Sequence, residues 1–327
     1  MALHPEMVNL LEALDALQLP PLFSGPADAA RERIRALVLA GQAPDTLTPV
    51  AQVTDSVVPG PAGDLPVRVY RPDGTGAFPT VMFFHGGGWV IGDLDTHDEP
   101  ARRICHDVGA VVVSVDYRMA PEAPFPAPYE DCLAATRHVA AHPADFGGDP
   151  ERLALAGDSA GGNLAAAVAV ACRDAGLPVA AQLLIYPACD LAREYPSYEE
   201  NAEGYFLTRA DTREAIARYT EGTADRTDPR ISPLYTPDLS GLAPAVVAVA
   251  EYDPIRDDGA AYAAALEKAG DPVLLRRVAG LIHGFIGFTV ASPAAHAAMG
   301  ELCADLAGLL ATRPHDALAP AAGLAGD

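Results

Sequence analysis

Six short, mostly apolar runs punctuate the chain at 80–84 (TVMFF), 110–115 (AVVVSV), 152–157 (RLALAG), 180–186 (AAQLLIY), 245–251 (AVVAVAE) and 273–278 (VLLRRV). Stretches with helical character fall between them near 98–108, 129–142, 160–175, 258–269 and 293–311. Most of the runs suit strands buried on both faces, and their alternation with helices predicts an α/β fold with a mostly parallel sheet covered by helices. Ahead of them, VAQVTDSVV and LPVRVY alternate around the turn material PGPAGD. That pattern predicts a two-stranded hairpin and brings the sheet to eight strands. A length of 327 residues could hold one large domain or two small ones, and the pattern favours one.

The rhythm breaks once. Residues of about 188–243 interpose helix, turns and prolines between two strands without a strand of their own. At the other end of the chain, Met7, Leu10, Leu11, Leu14 and Leu17 recur at helical spacing, and a second helix is predicted over 27–40. Residues of about 1–45 and 188–243 are therefore expected to form a helical cap over the sheet. The tail 312–327, rich in Ala, Pro and Gly, is expected to be mobile. No internal repeat is apparent.

The strongest chemical signal is Gly157-Asp158-Ser159-Ala160-Gly161-Gly162, set between a predicted strand and a predicted helix. A serine on so sharp a turn needs small neighbours, which Gly157, Ala160 and Gly161 supply, and its hydroxyl would project above the sheet. The second signal, His85-Gly86-Gly87-Gly88-Trp89, directly follows TVMFF. Consecutive glycines let backbone N–H groups turn toward an oxyanion, and the donors expected are the amides of Gly87, Gly88 and Ala160. His85 is expected to hold the loop through its side chain.

A serine hydroxyl needs a base within reach and a carboxylate to orient that base. In an elbow of this type the order along the chain is Ser, then acid, then His. Of the nine histidines, only His283, in GLIHGF beyond the last strand, fits order and place. Asp253, in EYDPIRDDG, follows a strand and is the candidate acid, with Asp190 as its rival. Asp257 and Asp258 are expected to begin the next helix, where acids suit the dipole. His138 and His142 are spaced i, i+4, but no HExxH motif surrounds them, so an ordinary helix surface is expected and no metal site. Trp89, Phe206 and Leu207 are candidates for the wall of a substrate pocket, because loop and cap side chains near its mouth must supply apolar surface.

Composition excludes some functions. With 22 Lys plus Arg against 44 Asp plus Glu, the formal charge is −22, and Lys268 is the only lysine. Such a surface repels phosphate backbones and anionic lipid, so neither nucleic acid nor membrane is an expected partner. The first helix carries Glu6, Glu12 and Asp15 on its polar face, which also argues against membrane-surface binding. The opening residues lack the features of a secretory signal, so a cytoplasmic location is expected. The five cysteines are scattered without CxxC spacing and are expected to be buried free thiols.

Taken together these residues resemble the hormone-sensitive-lipase family of bacterial esterases (family IV) within the α/β-hydrolases. DYRMAPEAPFPAPYEDC (116–132), GDSAGGNLA (157–165), NAEGYFLT (201–208), SPLYTPDLSGLAPA (232–245), YDPIRDDG (252–259) and IHGF (282–285) follow that family's pattern. The resemblance implies one catalytic domain with a helical cap, no cofactor, and hydrolysis of short- or medium-chain carboxylic esters. It marks Ser159, Asp253 and His283 as the catalytic triad, and Gly87, Gly88 and Ala160 as the oxyanion hole. The expected partner is thus a small-molecule ester; a homodimer is left open. Amide or lactone cleavage by the same triad, and a non-catalytic small-molecule receptor, are the competing readings.

Overall fold

Each apolar run becomes a strand in the computed structural model, which describes residues 2–42, 46–221 and 225–311. The strands are β1 (Gln52–Gly60), β2 (Gly63–Arg71), β3 (Phe78–Phe84), β4 (Val111–Val115), β5 (Gly148–Asp158), β6 (Ala181–Ile185), β7 (Ala245–Tyr252) and β8 (Val273–Ile282). They form one sheet in the order β1-β2-β4-β3-β5-β6-β7-β8. Pairing is antiparallel where β1 meets β2 and β2 meets β4, and parallel everywhere else. The helices are α1 (Pro5–Ala16), α2 (Ala27–Ala40), α3 (Asp98–Val108), α4 (Ala127–Ala141), α5 (Pro143–Phe146), α6 (Ala160–Asp174), α7 (Ser197–Glu200), α8 (Arg209–Thr220), α9 (Arg256–Ala269) and α10 (Pro293–Ala311). The tail from residue 312 lies outside the described residues.

The two-residue period of a strand divides the core. Val81 and Phe83 of β3 point to the face covered by Ile104 of α3 and by Leu302 and Leu306 of α10. Met82 and Phe84 point to the opposite face, against Cys132 of α4, Leu164 of α6 and Leu266 of α9. Both faces of the central strands are thereby sealed from water, which is why those runs carry no polar alternation. The run at 273–278 differs because β8 is an edge, and Leu274 there is exposed. All five cysteines are buried and free. His142 lies one residue beyond the end of α4 as its C-cap, its ring 4.5 Å from that of His138.

A third, smaller apolar cluster stands apart from these two. Phe23, Ala27 and Ala30 around α2 meet Val90 and Ile91 after β3, and Leu207 and Ala215 around α8. The Arg31 guanidinium also ties α2 down, donating to the carbonyls of Val90 and Ala120 at 2.8 Å each. At the start of α1 the His4 amide donates to the Gly280 carbonyl on β8 at 3.0 Å. α8 starts with a capping box in which Thr208 and Asp211 satisfy each other's backbone N–H groups. The 188–243 segment divides: Leu207 and Ala215 join this small cluster, whereas Ile216 and Tyr219 of α8, with Ile231, Leu239 and Leu242, pack into the large core that contains α6 and α9.

Asp257 and Asp258 do begin a helix, α9, but Asp258 is fully buried. Its Oδ1 accepts the Cys189 amide at 2.7 Å, and its Oδ2 has no partner among the described residues. Burial pushes this carboxyl well above the ordinary range, so the folded protein keeps its proton to a higher pH than the unfolded chain does. Once unfolded it ionises above roughly pH 4. The folded state therefore holds a proton that the unfolded state has released, and stability falls as pH rises from there toward the raised folded pKa, by up to ~1.4 kcal/mol per pH unit. Asp258→Asn is expected to remove that slope, so that its Tm declines less between pH 5 and pH 8 than the wild-type Tm; equal declines would refute the assignment.

Candidate active site

The residues with chemical promise gather where β5, β7 and β8 end. β5 runs directly into Ser159, which caps α6 with φ 54° and ψ −118°. The Ser159 amide donates to the Ile185 carbonyl on β6 at 2.8 Å, fastening the turn to the neighbouring strand. Space explains the glycines. A Cβ on Gly157 would lie 2.3 Å from the Gly161 carbonyl oxygen, and one on Gly161 would lie 1.9 Å from that of Phe84. Backbone packs on backbone here, and the Ser159 side chain faces the cavity above.

His283 follows β8 and Asp253 follows β7. The His283 Nδ1 is 2.7 Å from Asp253 Oδ2, and its Nε2 is 2.9 Å from Ser159 Oγ. Asp253 has no solvent exposure, and its other oxygen accepts the Ile255 amide at 2.8 Å. A carboxylate facing Nδ1 requires the proton on that nitrogen, which leaves Nε2 with a lone pair toward the serine hydroxyl. Asp190 is placed elsewhere, accepting from the Tyr195 hydroxyl at 2.9 Å and the Ala192 amide at 3.1 Å. The Tyr186 ring lies 4.5 Å from the imidazole at 51° and fixes its lateral position.

Gly87 and Gly88 adopt φ 115° and 60°, and among the described residues their amides and that of Ala160 donate to no protein acceptor. For Ala160 this is the ordinary state of a first-turn N–H. All three belong to segments flanking Ser159. His85 is fully buried, with Nδ1 2.8 Å from the Gly86 carbonyl. Burial, reinforced by the nearby His97, pushes its pKa down to about 4, so the ring stays neutral near pH 7. Its role in the geometry is to brace the loop.

An apolar cavity of about 340 Å³ opens over Ser159 and His283. Trp89, Phe206 and Leu207 all border it. Trp89 does so while buried and stacked on Tyr219 of α8, with ring centroids 4.3 Å apart and planes 6° apart. Much of the remaining wall was not assigned to a pocket from the sequence: Leu10 and Leu14 from the α1 stripe, Phe23, and Ile34, Leu37 and Val38 of α2. The i, i+3, i+4 stripe on α2 is the signal that could have found the last three. The loop and the helices above it touch closely, since a Cβ on Gly88 would lie 2.7 Å from both Phe23 Cζ and Ala215 Cβ.

Comparison with known proteins agrees with this geometry. A family profile described as alpha/beta hydrolase fold matches residues 81–287. The carboxylic ester hydrolase LipN of Mycobacterium tuberculosis is 44% identical over 285 residues, covering 85% of this chain and 75% of that one. An ethyl acetate hydrolase of Pseudomonas putida is 36% identical over 300 residues, covering 88% and 92%. Among solved structures, an ester hydrolase from the metagenome of Lake Arreo, complexed with a bipyridine phosphonate derivative, superposes with a TM-score of 0.91. It shares 42% identity over 95% of this chain and 100% of that chain. With a matching profile over most of its length and relatives of this identity, the chain belongs to the α/β-hydrolase family, in its hormone-sensitive-lipase-like branch.

Proposed function

We propose that the protein is a serine carboxylesterase that cleaves short- to medium-chain esters through an acyl-enzyme on Ser159. The observation that carries this reading is the unbroken hydrogen-bonded series Asp253, His283, Ser159 at the floor of an apolar cavity. In the first step His283 Nε2 takes the hydroxyl proton as Ser159 Oγ bonds to the ester carbonyl carbon. The carbonyl oxygen becomes an oxyanion, received by the amides of Gly87, Gly88 and Ala160. Asp253 holds the ring and stabilises the imidazolium. When the C–O bond to the alcohol breaks, His283 delivers its proton to the departing oxygen. Water then repeats the sequence on the acyl-serine, releasing the acid and restoring the hydroxyl.

In this reading α1, α2 and the α7–α8 segment act as a cap whose apolar side chains hold the acyl or alcohol group. A cytoplasmic setting belongs to the same proposal, supported by five cysteines that are buried and unbridged. The relatives' own names, an ester hydrolase and an ethyl acetate hydrolase, favour esters over amides. An aryl-ester series of increasing acyl length tests the reading. Specificity (kcat/KM) should climb about fourfold per added methylene, corresponding to ~0.8 kcal/mol of burial each, until the cavity is full. A matched anilide or lactone cleaved faster than the best ester would replace the esterase reading with the amidase or lactonase one.

A further inference from the structure

Asp158, the acid inside the nucleophile turn, takes no part in the triad, yet its surroundings are specific. It is 4% exposed. Its Oδ1 accepts the Gly86 amide at 2.8 Å and lies 3.5 Å from His97 Nε2. Burial by itself would raise its pKa, but the His97 imidazole and the Gly86 N–H outweigh that and hold it below the ordinary carboxylate range. Asp158 is therefore ionised in the interior, a state that is retained only where partners offset lost hydration.

The residue on the other side, Gly86, is held through both of its peptide groups, His85–Gly86 by its N–H and Gly86–Gly87 by its C=O. Asp158 takes the N–H of Gly86, and His85 Nδ1 donates to its C=O at 2.8 Å. His85 is in turn fixed by Tyr117, which stacks on it at 4.3 Å and donates its hydroxyl to the His85 carbonyl at 2.7 Å. His97 stands 5.3 Å from the His85 ring, its Nδ1 3.1 Å from Thr96 Oγ1. Gly86 immediately precedes Gly87 and Gly88, whose amides have no protein acceptor among the described residues and which line the same cavity as Ser159. The Gly87 N–H shares its peptide with the Gly86 C=O, so rotation about the Gly86 Cα turns that donor, and glycines offer little resistance of their own.

We propose that Asp158, backed by His97, is a positioning residue: it ties the nucleophile's turn to the Gly86 N–H and, together with His85 on the Gly86 carbonyl, fixes where the Gly87 and Gly88 amides meet the oxyanion. This rests on the serine-esterase reading and adds to it a specific tether between the two motifs. Donors that must match a developing charge lose much of their effect when misplaced by a fraction of an ångström. Such a loss appears in the bond-making step more than in substrate binding.

The test uses the full chain with Asp158→Ala and Asp158→Asn, assayed on an aryl ester and on a trifluoromethyl ketone that forms a tetrahedral adduct with the serine. Asp158→Ala should lose about 10- to 100-fold in kcat with KM changed less than about threefold, and bind the ketone more weakly by a similar factor. Asp158→Asn keeps an acceptor for the Gly86 amide and should recover to within about fivefold of wild type, which also guards against a misfolded alanine variant. Three results would each overturn the tether: unchanged kcat in Asp158→Ala, lost kcat with undiminished ketone affinity, or an asparagine variant as impaired as alanine. Undiminished turnover in Ser159→Ala would instead overturn the serine reading itself, and the tether with it.

Discussion

Ser159→Ala is expected to lower aryl-ester turnover by ~10⁴-fold or more while leaving the thermal midpoint nearly unchanged. The size follows from position: among the described residues Ser159 Oγ is the one nucleophilic atom within hydrogen-bond distance of His283 Nε2, at 2.9 Å. Without it the imidazole has no hydroxyl to deprotonate, and only the amide donors and the cavity remain to assist water. Stability should barely respond, because the alanine keeps the backbone and its amide bond to Ile185, and forfeits one hydrogen bond worth ~1 kcal/mol. Steady-state kinetics alongside labelling by a fluorophosphonate provide the check. A variant that still turns over ester at a tenth of the wild-type rate would end the acyl-enzyme mechanism.

Asp253→Asn is expected to lower kcat by about 10⁴-fold, the loss seen when the equivalent change was made in a chymotrypsin-type triad. Here the local bonds explain why asparagine cannot substitute. One carboxylate oxygen accepts from His283 Nδ1 at 2.7 Å and the other from the Ile255 amide at 2.8 Å. An amide side chain has a single oxygen, so in either orientation its NH₂ faces a donor. If the NH₂ faces the ring, the proton moves to Nε2, and the base then points an N–H at the hydroxyl it should deprotonate. Asp190→Asn is the matched control and should leave kcat within about twofold, since Asp190 contacts Tyr195 and Ala192 instead. Equal damage from the two substitutions would reject Asp253 as the orienting acid.

Features set by local pattern were readable from the chain alone. Strands such as β3 and β4 announce themselves because a strand covered on both faces has no use for polar residues. The glycines around Ser159 were readable because close backbone contact excludes every other side chain. Asp253 and His283 could be chosen by their order and by their places just beyond two strands. What escaped was decided by packing between distant segments. Nothing near Asp258 says that α9 will press it into the core beside Cys189 and push its pKa up. Composition likewise gives no reason for Asp158 to face Gly86, 72 residues earlier. The α2 wall of the cavity was hidden for a related reason: an amphipathic stripe reveals that it is covered, not by what.

The small cluster of Phe23, Ala27, Ala30, Val90, Ile91, Leu207 and Ala215 is disjoint from the two that clasp the sheet. Two of its members, Val90 and Ile91, donate their amides to the Gly87 carbonyl and so belong to the loop expected to receive the oxyanion. Under the proposed mechanism, changes along 20–40 or at Leu207 and Ala215 would therefore alter the rate of bond-making as well as which compounds enter. The triad on the strand ends has no member in the cluster, so its own spacing would persist while the donors opposite it are retuned.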